Sequence, residues 1–158
     1  MTTMHATPFN VSRTIYRLHE SAVEWATALP LSIVQLASRV AVAEVFWQSA
    51  QTKLASWPVT LQLFAFEYRL PLLDPGLAAL MATAAELSGA AMLGLGLLAR
   101  LASLMLLGVV ATIQIFVYPD HWAEHLMWTS LLLLILSRGA GVFSVDYLVS
   151  RRNRAGAE

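Results

Sequence analysis

Residues 76–118 read GLAALMATAAELSGAAMLGLGLLARLASLMLLGVVATIQIFVY, and only Glu86 and Arg100 carry a charge. A stretch so long and so apolar does not suit a helix of a water-soluble domain. Arg100 divides it into two spans of about 20 residues each, the length that crosses ~30 Å of hydrocarbon. The stretch predicts a transmembrane helical hairpin with an ionisable residue, Glu86, inside its first arm. The rest of the chain has to fit around that hairpin.

Composition agrees. The chain has 158 residues, 58% hydrophobic and 13% charged, with a mean hydropathy of +0.63. Those values suit a small polytopic membrane protein with little room for an extramembrane domain. The formal net charge is zero, so nucleic-acid binding has no electrostatic footprint. The absence of cysteine removes thiol redox chemistry, iron–sulfur ligation and c-type haem attachment by this chain's own residues. Arg13, Arg17, Glu20 and Glu24 interrupt residues 1–30, which therefore lack the apolar core of a signal peptide. Targeting falls to the first membrane span.

In residues 1–30, Phe9, Ile15, Tyr16, Leu18, Val23 and Trp25 interleave with Arg13, Arg17, His19, Glu20 and Glu24. This pattern predicts a short amphipathic helix at the membrane surface, capped by Asn10 or Ser12 and ending near Pro30. A frayed cytoplasmic tail is the alternative. Residues 31–54 form the first predicted span, with Arg39, Glu44, Gln48, Gln51 and Lys53 along it. At about 100° per residue, Ala37, Ala41, Glu44, Gln48 and Gln51 share one stripe, which is expected to face protein rather than lipid. Arg39 lies off the stripe and is expected to snorkel to the near surface. Residues 56–75 hold Trp57, Phe64, Phe66, Glu67, Tyr68 and Arg69. They predict an interfacial loop or short helix, with its aromatics at headgroup level.

The second span, 76–98, carries a ridge of small residues, Ala78, Ala82, Ala85 and Gly89, beside Glu86. The third, 100–118, holds Gln114, and Pro119 and Asp120 end it. The fourth, 121–137, carries His121, Trp122, His125 and Trp128, and Gly139, Ala140 and Gly141 close it. The expected fold is all-α: an integral membrane four-helix bundle with an N-terminal amphipathic helix. It divides into an interfacial segment 1–30, a transmembrane domain 31–150 and a basic tail 151–158.

Lysine and arginine set the orientation. Arg13, Arg17, Arg100, Arg138, Arg151, Arg152 and Arg154 fall on one side, and Lys53 and Arg69 on the other. Both termini are therefore expected to be cytoplasmic. At about 1.5 Å per residue, Glu44, Glu86, Gln114 and His125 each fall about 20 Å from the cytoplasmic end of their span.

A charge at the centre of a membrane helix costs at least ~2.5–3.5 kcal/mol. A buried carboxyl can escape that cost by staying protonated, by pairing with Arg39, Lys53 or a protonated His125, or by facing a ligand or water. Three readings stay open: a polar cluster that locks the helices in register, a site for a quinone or another redox partner, and a proton or metal path. His121 and His125 stand four residues apart on one helical face, a spacing able to hold a metal but weak by itself.

Several short motifs complete the pattern. Arg39 opens the first span and Lys53 closes it, followed by FEYRLPLLDP at 66–75. Glu86 is followed by GLLAR at 96–100, then YPDHWAEHLMW at 118–128 and RGAGVFSVD at 138–146. In this order and spacing, the chain resembles the DoxX family over residues 31–150. Ala140 departs from the family's Gly-Pro-Gly turn.

The resemblance implies a four-helix protein of the bacterial inner (plasma) membrane. The family takes its name from a subunit linked to a terminal quinol oxidase and to thiosulfate:quinone oxidoreduction. Other members resemble membrane partners in oxidative- or metal-stress systems. What it implies is an accessory oxidoreductase subunit without independent activity, with quinone as the candidate cofactor. Glu44 and Glu86 would be its polar heart, with Arg39, Gln114 and His125 as partners. One rival is a non-catalytic scaffold that docks a soluble protein through Trp57, Phe64, Phe66, Glu67, Tyr68 and Arg69. The other is a metal- or solute-handling protein using His121 and His125. In each reading the chain sits in the lipid bilayer, alone or as a homo-oligomer. The test is whether the four polar residues share a level beside an apolar cavity.

Overall fold

The computed structural model describes residues 15–17, 19–20, 23, 30–71 and 73–155. The chain forms two compact units, residues 1–30 and 31–158. In the first unit, Ile15, Tyr16, Arg17, His19, Glu20 and Val23 are helical. Most of the expected amphipathic helix, with its Asn10 or Ser12 cap, lies outside the described residues.

In the second unit every described element is helical. Helix α1 is Leu31–Ala55 and α2 is Trp57–Gln62, which runs on into a π-helical turn, Leu63–Tyr68. Helix α3 is Pro75–Leu95, and α4 is Ala99–Thr112, extended by a second π-helical turn, Ile113–Val117. Helix α5 is Trp122–Arg138 and α6 is Val145–Ala155. Helices α1, α3, α4 and α5 begin and end within a few residues of the expected spans. Among the described residues, two stretches, Pro75–Leu95 and Ala99–Val117, are long and apolar enough to cross a membrane. Helix α1 is diluted by Arg39, Glu44 and Lys53, and α5 has only 17 residues.

The helix ends follow local chemistry. Asp74 caps α3, its carboxylate accepting from the N–H groups of Gly76 at 2.9 Å and Leu77 at 3.1 Å. Pro75 fills the first turn, where a missing N–H costs nothing. Gly96 ends α3 with φ +65, and a Cβ there would run into the Arg39 guanidinium. Helix α4 is capped from a distance. The Asp146 carboxylate accepts from the Leu98 N–H at 2.7 Å and the Ala99 N–H at 3.0 Å.

The main core draws on four helices. Val42 and Phe46 of α1 meet Ala90 and Leu93 of α3, Ala102, Leu106 and Val110 of α4, and Leu132 and Ile135 of α5. A smaller cluster joins Phe64 of the first π turn to Ala78 and Ala79 of α3, with Trp57 and Tyr68 packed against it.

Candidate functional site

Helix α1 makes polar contacts at both ends, with α3 at one and with the end of α5 and the α5–α6 loop at the other. At one end, Lys53 Nζ lies 2.7 Å from Glu86 Oε2 and 2.9 Å from Oε1, and also donates to Ser49 Oγ at 2.8 Å. Glu86 is 1% exposed. Its carboxylate is therefore held in a buried ion pair by a cation from the neighbouring helix.

At the other end, Arg39 is fully buried and donates from Nη2 to the Phe143 carbonyl at 2.5 Å. Its Nε and Nη1 find no partner among the described residues. Gln35 donates from Nε2 to the carbonyls of Arg138 at 2.9 Å and Gly139 at 3.0 Å. Gly139 and Gly141 both take positive φ in this turn. A Cβ on Gly141 would stand 2.8 Å from Gln35 Oε1. Arg39 thus belongs to a closed junction of α1, the α3–α4 turn and the α5–α6 loop.

Beside the Lys53–Glu86 pair lies a cavity of about 590 Å³. Phe46, Ser49 and Lys53 of α1, Ala82, Ala85 and Glu86 of α3, and Met105, Gly108 and Val109 of α4 line it. Helix α5 adds Glu124, His125 and Trp128, and His121 stands just before it. Both π turns border it, through Phe64 and Tyr68 and through Ile113 and Val117. π-helical turns recur at functional sites because the extra residue re-aims side chains. Arg69, in left-handed conformation at φ +44, ends the first turn and returns its N–H to the Phe64 carbonyl at 3.2 Å.

Rings form an unbroken series along the wall. Phe64 meets Tyr68 with centroids 4.9 Å apart, Tyr68 meets Tyr118 at 5.9 Å, and Tyr118 meets His121 at 5.3 Å. His121, His125, Trp128 and Phe46 continue it at 6.3, 5.3 and 6.0 Å. The Tyr118 hydroxyl donates to Glu67 Oε1 at 2.9 Å and ties the two π turns together.

The tautomer of His125 follows from its neighbours. Gln114 Nε2 lies 2.6 Å from the Pro119 carbonyl, which can only accept. Gln114 Oε1 therefore faces His125 Nδ1, at 2.6 Å. That oxygen also only accepts, so Nδ1 carries the hydrogen. In the neutral ring, Nε2 is left as a hydrogen-bond acceptor.

Glu86, His125 and Gln114 are thus brought to one region, the first two on the cavity wall. Glu44 is not. It is exposed and accepts from Gln48 Nε2 at 2.6 Å on the outer side of α1. The reason is helical phase. Glu44 precedes Lys53 by nine residues, which is about 180° around the helix and about 13 Å along it. Arg39 does not join Glu86 either, and it does not snorkel. It stands 14 residues before Lys53, near the same face but about 21 Å away.

The aromatic loop divides. Phe64, Tyr68 and Trp57 turn inward, Phe66 is 74% exposed, and Glu67 and Arg69 are exposed. His121 and Glu124 stand 3.7 Å apart, but among the described residues no group of three His, Asp or Glu could hold a metal. Among the polar cavity residues, Ser49, Tyr118 and Lys53 were not on the expected site, although Lys53 was named as a possible partner of a buried carboxyl. For Lys53 the signal was present in its charge at the end of a span opposite an intramembrane glutamate.

A family model described as DoxX matches residues 34–119, more than half of the 158-residue chain. No curated protein matches. No solved structure matches.

Proposed function

Because the chain belongs to the DoxX family, we propose that it is a multi-pass protein of the bacterial inner membrane in which α1, α3, α4 and α5 form a transmembrane bundle. Its function in this reading is to bind a quinone or quinol in the cavity, as an accessory subunit of a redox or stress-response system. The observation that carries the reading is the meeting, in one apolar cavity of about 590 Å³, of the Lys53–Glu86 pair and His125. Small-molecule sites combine apolar walls with a few placed polar groups.

The residues fit such a molecule. Phe46, Phe64, Tyr68 and Trp128 offer faces and edges to a flat ring. A bound quinone would supply reversible two-electron, two-proton chemistry. The chain's part is to bind and orient. His125 Nε2 would serve as the acceptor for a hydroxyl of the reduced molecule. Gln114, held by the Pro119 carbonyl, keeps the imidazole in that tautomer. Lys53 holds positive charge at the wall, screened by Glu86.

Extraction tests this. The protein purified in mild detergent is expected to yield a quinone by mass spectrometry. His125→Leu and the cavity-filling Ala82→Phe are expected to lose most of it while keeping their helical content. Equal quinone in all three proteins, or none in a folded wild type, would overturn the reading.

A further inference from the structure

The outer face of α1 remains unused. Ala37, Ala41, Glu44, Gln48, Gln51 and Ala55 are all exposed. They follow one another at intervals of four, three, four, three and four residues. That spacing keeps the six residues within roughly 80° of one another on an ordinary helix, a stripe that a second helix can cover. The opposite face is already occupied. Gln35, Arg39, Val42, Phe46 and Ala50 are buried inside the unit, and Lys53 is fixed to Glu86. Helix α1 therefore cannot turn its outer stripe inward.

Lipid does not suit this stripe. Glu44 lies about 8 Å beyond Arg39 and about 13 Å short of Lys53, counted along the helix axis. Its two methylenes are too short to carry the carboxyl to either end of the span. Its one hydrogen-bond partner among the described residues is Gln48 of its own helix. A polar group in that position calls for protein.

We propose that the stripe is the contact between two copies of this chain, packed α1 against α1 about a two-fold axis along the membrane normal. The stripe carries what its own image needs. Two copies inserted in the same sense bring equal depths together, so Ala37 and Ala41 meet their counterparts, and their small side chains let the helices approach closely. Each Gln48 amide has two N–H donors. One is spent on its own Glu44, and the other is available to the partner's Glu44. Because equal depths also set the two Glu44 carboxyls face to face, the contact requires a proton shared between them. Gln51 adds a second carboxamide one turn further on. No cation from a foreign helix is required.

Because the chain has no cysteine, single-cysteine variants of the full-length protein test this directly. In oxidised native membranes, Ala41→Cys is expected to give a disulfide-linked dimer as its main species. Leu104→Cys, on an exposed face of α4, is expected to give little. Adding Glu44→Leu and Gln48→Leu to Ala41→Cys should lower the dimer about fivefold, as expected for losing an interhelical polar contact. Circular dichroism should show helical content unchanged. Equal cross-linking at positions 41 and 104 would overturn the contact. A dimer indifferent to Glu44 and Gln48 would overturn its polar basis. An adduct whose mass is not twice that of the chain would replace the second copy by a foreign helix.

Discussion

Lys53 and Glu86 are the residues on which the candidate site depends. Alone, either would be an uncompensated charge in apolar surroundings. Together they satisfy one another at 2.7 Å, with Ser49 taking a further proton of the ammonium. Breaking a buried pair from one side leaves the other charge unpaired, at a cost of roughly 3–5 kcal/mol. Replacing both by apolar groups of similar volume is often neutral. Glu86→Leu is therefore expected to be strongly destabilised in a detergent unfolding series. The Lys53→Met/Glu86→Leu double variant should recover most of the loss, and Leu104→Ala, at an exposed position, should change little. A Glu86→Leu protein as stable as wild type would show that the pair holds nothing together.

At the scale of elements, α4 depends on a cap supplied from outside itself. Helix α4 begins after Leu98, a non-glycine residue at φ +46, with no capping side chain of its own. Asp146, at the start of α6, supplies both acceptors. It lies within the range of the Arg39 charge and returns its own N–H to the Gly96 carbonyl at 3.0 Å. Losing a cap of this kind costs about 0.5–2 kcal/mol. Asp146→Ala should lower the melting temperature, and Asp146→Asn should retain part of the cap. No difference between Ala and wild type would rule out a capping role.

The same scale explains what could be read from the sequence. Apolar runs, Arg100 between the second and third spans, and the breakers Pro119, Asp120, Gly139 and Gly141 marked the helices to within a few residues, whereas Gly96, which ends α3, was read as part of the second span. Glu86, Gln114 and His125 could be named because a polar residue in such a run needs a reason. Pattern alone does not fix how each helix is rotated or shifted against its neighbours. Depth counted from the start of the first span placed Glu44 level with Glu86. The Lys53–Glu86 and Arg39–Phe143 contacts instead set the register of α1, and they turn Glu44 outward. The π turns were illegible for a related reason. The extra residue that swings Tyr68 and Gln114 toward their partners leaves no mark in hydrophobic periodicity.

For the whole molecule, the two ends of the unit differ in construction. At the Arg39 end, Gln35, the α3–α4 turn, the α5–α6 loop and Asp146 close on one another through backbone carbonyls and N–H groups. At the Lys53 end, the π turns, the ring series and the cavity lie together, with Tyr118 tied to Glu67. Arg100, Arg138, Arg151, Arg152 and Arg154 all belong to the closed end or the chain beyond it. Lys53 and Arg69 belong to the cavity end. Positive charge is retained on the cytoplasmic side during insertion. The expected arrangement therefore puts the closed junction and α6 in the cytoplasm and the cavity end outside. Reporter fusions check this, one placed at Arg69 in the loop before α3 and one after α6. A periplasm-active reporter such as a phosphatase should work only at Arg69, and a cytoplasm-active fluorescent protein only after α6. The reversed pattern would put the cavity on the cytoplasmic side, where a soluble cytoplasmic partner could reach it. Equal signals at both positions would mean that the two positions share a side and that the chain crosses the membrane a different number of times.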